Sequence, residues 1–242
     1  MEKMQHDNSA TTVSAQKHFP ALLPTIGFTI LYFLLQGLCT VLIVWALQEG
    51  STRPEPVSII FGLVVSATIQ LLIMWLYLRK HGRFEILGLN NFGSIPLLRA
   101  SGLGILLVIA AMTFNLVYAT YVIPGIGMQE EMAKILAGIA RTPLNMAAMF
   151  LAIAVFGPVV EELLFRGLLQ NALAKYVPIW GAIILSSFLF ASVHLQPYAI
   201  PGLMSLSIAF GYLYHRTGSL RTNIILHMAN NIFALAITQF VN

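Results

Sequence analysis

The chain has 242 residues, of which 58% are hydrophobic and 9% are charged, and its mean hydropathy is +0.82. Soluble domains carry about 25% charged residues, so this composition excludes an ordinary soluble domain and predicts an integral membrane protein. The formal net charge is only +4, and we interpret the Lys and Arg residues as membrane anchors rather than as a nucleic-acid-binding patch.

Residues 1–20 are polar and mixed in charge, which predicts a cytoplasmic N-terminal tail before a single transmembrane domain at 21–242. One helical span needs about 20 apolar residues. On that length the chain predicts an all-α, polytopic transmembrane bundle of about seven spans, at 22–47, 57–78, 98–122, 145–170, 179–196, 200–215 and 220–241. Ten of the 13 Lys and Arg residues then share the side of the N-terminus, which predicts a cytoplasmic N-terminus in the plasma or inner membrane.

An acidic pair, Glu130-Glu131, lies between the third and fourth predicted spans, in the segment 123–143. Lys134 and Arg141 follow it in the same predicted loop. We therefore interpret this pair as part of a solvated face and assign it no function.

The fourth predicted span contains a second acidic pair, Glu161-Glu162, and Arg166 within an otherwise apolar run. A charged side chain at the centre of a bilayer costs roughly 2.5–3.5 kcal/mol on insertion scales, so three together indicate a functional site. Glu162 and Arg166 are spaced to form an i,i+4 ion pair. Glu161 has Gly157 at i−4 and Phe165 at i+4, so it has no partner on its own helix and is the better catalytic candidate.

Two further polar pairs occur later in the chain. Phe190 and His194 are four residues apart in the fifth span, and His227 and Asn231 are four apart in the seventh. Residues at this spacing lie on one face of a helix. Alone, each His would be an interhelical hydrogen-bonding residue about as often as a functional one, and Asn231 alone would be interpreted as an interhelical hydrogen-bonding residue.

A turn near 176–178 predicts that the fourth and fifth spans form an antiparallel hairpin. Along the two helices, Glu161 and His194 then lie roughly 21 Å and 24 Å from this turn. We therefore expect them to face each other in a membrane-embedded cavity near the cytoplasmic side.

This set of side chains suits the hydrolysis of an amide. A carboxylate and a histidine can orient a water molecule and take its proton. A second histidine with an amide on the same face suits stabilisation of an oxyanion. A Glu/His/His set can also hold zinc with one open position, although the His-Glu-x-x-His signature is absent and the single Cys39 rules out a cysteine cluster.

Taken together, these motifs resemble the CAAX prenyl protease and bacteriocin-processing family of intramembrane proteases (the CPBP or Abi family), which includes the Ras-converting CAAX endopeptidases. The family's Glu-Glu-x-x-x-Arg, Phe-x-x-x-His and His-x-x-x-Asn motifs match, in order, Glu161, Glu162 and Arg166, then Phe190 and His194, then His227 and Asn231. The resemblance covers about 145–235, the predicted protease core.

The resemblance implies an endopeptidase that hydrolyses a membrane-associated peptide or protein, prenylated at a CAAX sequence or bacteriocin-like. It implies Glu161 as the general base, His194 as a second group that activates the water, and Glu162–Arg166 as the pair that holds the helix. His227 and Asn231 would bind the oxyanion. The family is often described as metalloproteases, with Glu161, His194 and His227 as the zinc ligands here. We favour the metal-free alternative, because only two histidines align and Asn is a poor zinc ligand.

Two other functions are compatible with intramembrane charges. In an ion- or proton-coupled transporter, the glutamates and histidines would form a relay, but no inverted repeat is apparent in the sequence. A catalytically idle family member, acting as an immunity or scaffold protein, would keep the same motifs without turnover.

Overall fold

The structure is a computed structural model that describes residues 22–47, 56–80, 84–85, 87–90, 92–125, 134, 136, 138–139 and 141–240. These residues form helices, turns and short loops, and no strand occurs among them. The all-helical fold predicted from the sequence is confirmed. The predicted tail at 1–20 and the pair Glu130-Glu131 lie outside the described residues.

Seven main helices are present in the described part of the chain, one for each predicted span. They are α1 (Leu22–Leu47), α2 (Pro56–Lys80), α3 (Leu97–Tyr121), α4 (Pro143–Leu173), α5 (Ile179–Ser192), α6 (Ile200–Thr217) and α7 (Leu220–Phe240). A short 3-10 turn, Pro197–Ala199, precedes α6.

Four of these helices, α1 to α4, are long and apolar enough to cross a membrane. The outer face of α1 shows why a bilayer is needed, because large apolar side chains such as Leu34 and Val41 are more than half exposed. Lipid tails are as apolar as leucine and solvate such a surface, whereas a soluble protein rarely exposes a large contiguous apolar area. The protein is therefore an integral membrane protein.

Helix α4 departs from regular α-helical geometry in two stretches. Phe150–Phe156 and Glu162–Gln170 have the wider π-helical form, in which hydrogen bonds join residues five apart. The motif glutamates lie at the start of the second stretch. π-helical segments are rare and often occur at functional sites. The backbone geometry therefore indicates a functional site in this part of α4.

The second π-helical stretch also lies at the centre of the packing. Every residue from Glu162 to Gln170 is buried, and α1, α5, α6 and α7 all pack against this stretch. Leu164, Phe165 and Leu168 supply apolar side chains to these contacts. The charged members, Glu162 and Arg166, must therefore find partners inside the bundle, since an unpaired buried charge is very costly.

Helix α5 is shorter than predicted, because it ends at Ser192 rather than at 196. Leu195 has a positive φ of 56°, and Gln196 is extended before Pro197. A proline disfavours helical geometry in the residue before it, which here is Gln196, so the earlier end at Ser192 depends on the left-handed backbone of Leu195. His194 therefore lies in the turn that follows α5, not within the helix.

The turn between α6 and α7 is held by the loop that precedes α3. Gly218 ends α6 with a φ of +65°, a left-handed conformation that glycine adopts without strain. The backbone N–H of Ser94 donates to the Thr217 carbonyl at 2.9 Å, and that of Leu220 donates to the Leu87 carbonyl at 3.2 Å. These bonds fix where α7 begins, and hence the position of the histidine and asparagine that it carries.

Candidate functional site

The two adjacent glutamates of α4 occupy different environments. The Glu162 side chain is fully buried, whereas that of Glu161 is 26% exposed. Both lie at the junction between a short α-helical segment, Gly157–Glu161, and the π-helical stretch after it. One carboxylate is therefore enclosed by protein, and its neighbour can be reached from outside.

Glu162 is held by three side chains from two helices. Arg166, one turn later on α4, places Nη1 3.0 Å from Glu162 Oε1. From α7, His227 places Nδ1 2.9 Å from the same oxygen, and Asn223 donates from Nδ2 to Glu162 Oε2 at 3.1 Å. Both carboxylate oxygens thus have partners, which meets the requirement for keeping a charge inside the bundle.

The guanidinium of Arg166 has further partners on α6. Its Nη2 donates to the backbone carbonyl of Ser207 at 3.0 Å and to the Ser207 hydroxyl at 3.1 Å. The rings of Phe190 and Phe210 lie on the group, with centroids 5.1 Å and 5.7 Å from Arg166 Cζ. An aromatic face attracts a cation at such distances, so α4, α5 and α6 all stabilise this one charge.

His227 bridges the two glutamates. A carboxylate only accepts hydrogen bonds, so the Nδ1 atom beside Glu162 carries a hydrogen. The other ring nitrogen, Nε2, lies 3.7 Å from Glu161 Oε2. The ring also stacks on Phe210, with centroids 4.8 Å apart, which limits its rotation. The imidazole is thus oriented by the buried carboxylate and directed at the accessible one.

Asn231 lies one turn beyond His227, and its amide is bonded to α4. Its Nδ2 donates to the Ile153 carbonyl in the first π-helical stretch at 2.9 Å. The neighbouring Asn230 donates from Nδ2 to Asn231 Oδ1 at 3.2 Å. The motif asparagine therefore ties α7 to the distorted part of α4, and one of its two amide hydrogens remains for another acceptor.

His194 is the motif residue that the structure does not bond to the glutamates of α4 or to the motif residues of α7. Its Nδ1 is 2.8 Å from the carbonyl of Phe190, and the two rings are 4.9 Å apart. Among the described residues it makes no ion pair or hydrogen bond with Glu161. Its position after α5 nevertheless leaves the ring half-exposed.

The residues suggested for zinc do not assemble into a ligand set. Glu161 and His227 approach each other, but His194 does not complete the group. In the part of the chain that the structure describes, no three His, Cys, Asp or Glu side chains are grouped to hold a metal ion. We therefore assign no chemical step to a metal.

Asn223 and Ser207 belong to this site but did not emerge from the sequence motifs. Asn223 could have been found, because Asn223, His227 and Asn231 recur every fourth residue and so share one face of α7. Ser207 acts partly through its backbone carbonyl, for which the sequence carries no signal.

Fold and site together define the class of this protein. It is a polytopic helical membrane protein with a buried glutamate–arginine–histidine cluster beside one accessible carboxylate. Residues 143–233 match the family model described as "Type II CAAX prenyl endopeptidase Rce1-like". This stretch is therefore similar to an Rce1-like domain, and the family resemblance predicted from the three motifs is confirmed.

Two curated relatives are similar to parts of the chain. "Putative membrane peptidase YdiL" of Bacillus subtilis is 29% identical over 116 residues, which are 48% of this chain and 46% of that protein. "UPF0177 protein YaiF" of Lactococcus lactis is 35% identical over 83 residues, 34% of this chain and 37% of that protein. The chain thus matches less than half the length of these relatives. No solved structure matches it.

Proposed function

We propose that this protein is an intramembrane endopeptidase that hydrolyses a peptide bond in a membrane-associated peptide or protein. The observation that carries the proposal is the unequal pair of glutamates, one accessible and one locked into a buried network that also orients His227. Two carboxylates in different environments can take different roles in one reaction. The Rce1-like domain supports the same reaction class.

Glu161 is the general base in this proposal. Its carboxylate takes a proton from a water molecule, and the water oxygen forms a bond to the carbonyl carbon of the substrate. The π electron pair of the carbonyl moves onto its oxygen, which becomes an oxyanion. The C–O double bond then re-forms as the C–N bond breaks, and Glu161 passes its proton to the departing nitrogen. No proton is left over, and the base returns to its starting state.

The other motif residues hold charge and geometry around this step. Glu162 accepts a hydrogen bond from Nδ1 of His227 and so orients the ring; a hydrogen that Nε2 carries before and after the reaction makes that atom a donor for the oxyanion. The free amide hydrogen of Asn231 is a second donor. Arg166 keeps Glu162 in place, and His194, half-exposed near the site, helps to hold the water.

The substrate is proposed to be bound to the membrane, because the catalytic groups belong to helices within an integral membrane protein. Peptides with a prenylated CAAX terminus and bacteriocin-like membrane peptides are the two candidate classes. The first follows from the description of the matching family, which names a CAAX prenyl endopeptidase. The location of the protein in the plasma or inner membrane, with a cytoplasmic N-terminus, is part of this proposal.

A cleavage assay in liposomes tests the proposal. Purified protein is mixed with quenched-fluorescence peptides, one carrying a C-terminal farnesylated CAAX sequence and one an unprenylated membrane anchor. We expect cleavage by the wild type, loss in Glu161→Gln, and retention in Glu85→Gln, a matched change at an exposed glutamate. Undiminished cleavage by Glu161→Gln would contradict the assignment of the base.

A chelator arm addresses the alternative chemistry. We expect cleavage to continue in EDTA, because the described side chains form no three-ligand metal group. Loss in EDTA that zinc restores would instead make ligands of Glu161, His194 and His227. A protein that cleaves neither peptide but moves protons across the liposome membrane would be a transporter, and one that does neither would support the idle-scaffold alternative.

A further inference from the structure

Tyr32 of α1 brings a buried phenol to the site from outside the matched domain. Only 4% of Tyr32 is exposed, and it shares one buried cluster with Val160, Leu164 and Phe165 of α4. The rings of Phe33, next to it in the chain, and Phe165 are 6.1 Å apart. Helix α1 thus packs directly on the segment of α4 that carries the two glutamates.

The Tyr32 hydroxyl is unusual because it has no hydrogen-bond partner among the described residues, although it is buried. A buried polar atom without a partner costs free energy, so native proteins satisfy almost all such atoms and the exceptions need an explanation. A phenylalanine at position 32 would fill the same space without this cost. The hydroxyl is therefore either a defect of packing or a group held ready for a partner that arrives later.

The surroundings of Tyr32 fix its position. The side-chain amide of Gln70 on α2 donates from Nε2 to the backbone carbonyl of Tyr32 at 3.1 Å, and the rings of Tyr32 and Phe33 meet edge to face at 5.5 Å. A side chain held in this way loses little further freedom when it binds a ligand, which is a requirement for an effective catalytic donor. The bond from Gln70 also ties α2 to α1 at the level of the phenol.

Val160, the residue before Glu161, belongs to the same buried cluster as Tyr32. An ordinary phenol keeps its proton at neutral pH, so Tyr32 is a neutral hydrogen-bond donor in this part of the bundle. The acceptor that appears in this region during amide hydrolysis is the oxyanion on the attacked carbon.

We propose that the Tyr32 hydroxyl is a catalytic hydrogen-bond donor that stabilises the oxyanion formed when the water activated by Glu161 attacks the substrate carbonyl. This proposal rests on the proposed function and extends it, because it gives α1 a direct part in the reaction. The phenol donates a hydrogen bond and keeps its proton throughout. It adds to the donors on α7, where Nδ1 of His227 and one amide hydrogen of Asn231 are already engaged by Glu162 and by Ile153.

The test compares Tyr32→Phe with wild type and with Tyr121→Phe, which removes a phenol oxygen at the exposed end of α3. The substrate is whichever of the farnesylated and unprenylated peptides the wild type cleaves faster. Because the donor acts on the transition state and not on the bound substrate, we expect kcat to fall about 100-fold and KM to change less than about threefold. Tyr121→Phe should match wild type. A kcat of Tyr32→Phe within about threefold of wild type would overturn the proposal.

Thermal melting in detergent provides a second readout that needs no substrate. Removing an unpartnered buried hydroxyl should leave Tm unchanged or raise it by a few degrees. A clear fall in Tm would show that the hydroxyl is bonded in the folded protein, and the proposal would then be wrong. Failure here is distinct from failure of the proposed function, because the latter would appear as full activity in Glu161→Gln.

Discussion

The Nδ1 atom of His227 lies 2.9 Å from Oε1 of Glu162, although the two residues are 65 positions apart in the chain. Because the same oxygen also pairs with Arg166 at 3.0 Å, one buried carboxylate joins the arginine of α4 to the histidine of α7. Glu162 therefore contributes both to the stability of the fold and to the proposed reaction. Comparing substitutions at Glu162 and at Glu161 should separate these two contributions.

Glu162→Gln should destabilise the protein much more than Glu161→Gln does. The first change leaves Arg166 buried opposite a neutral amide, and breaking a buried ion pair costs about 3 kcal/mol or more. For a chain of this size that is a fall in Tm of about 6–12 °C. Melting of both variants in the same detergent measures the difference. Equal melting temperatures would show that the Glu162–Arg166 pair does not stabilise the folded state.

Arg166→Lys should also fail as a conservative change. A guanidinium presents several donors in a fixed plane, whereas an ammonium is a single point charge. Lysine can therefore replace the bond to Glu162 or those to Ser207, but not both sets. We expect a fall in Tm of several degrees and loss of cleavage. Arg216→Lys, at an exposed position near the end of α6, is the control and should resemble wild type. Normal activity in Arg166→Lys would mean that charge alone is sufficient at this position.

The sequence predicted the helices well because the signals for them are local. Apolar runs of span length gave α1 and α3 to within about a residue, at 22–47 and 98–122 against Leu22–Leu47 and Leu97–Tyr121. Spacing along one helix also identified Glu162 and Arg166 as partners. These predictions needed only the rise and the repeat of a helix.

Other features depend on contacts between distant segments and could not be predicted in this way. The π-helical hydrogen bonding of α4 leaves no periodic mark in the sequence, and the end of α5 depends on the backbone of Leu195. We expected His194 to face Glu161, on the basis of distances along two ideal helices. The early end of α5 removes that basis, so the role of His194 remains a prediction.

Asn223→Asp tests whether the buried network around Glu162 tolerates a second carboxylate. The amide nitrogen of Asn223 donates to Glu162 at 3.1 Å and to the Phe210 carbonyl at 2.6 Å. Aspartate has the same shape as asparagine, but it would place a hydrogen-bond acceptor opposite the Glu162 carboxylate and the Phe210 carbonyl, which are themselves acceptors. We expect a fall in Tm larger than that of Asn223→Ala, because like charges repel strongly in a buried site. Asn90→Asp, at an exposed position, should have little effect. A variant that melts like wild type would contradict the bonding found for Asn223.

The substitution His194→Ala distinguishes a role of His194 in the reaction from a role in the stability of the fold. The hydrogen bond that the structure gives to its ring is with Phe190, four residues earlier, and its ring is half-exposed. Losing one such bond costs about 1 kcal/mol, so Tm should fall by only about 2–4 °C. If His194 helps to activate the water, cleavage of the liposome peptides should nevertheless fall about 100-fold, the lower range for a general acid–base group. His215→Ala, at an exposed histidine on α6, should cleave at the wild-type rate. Full cleavage by His194→Ala would show that Glu161 activates the water without help from His194.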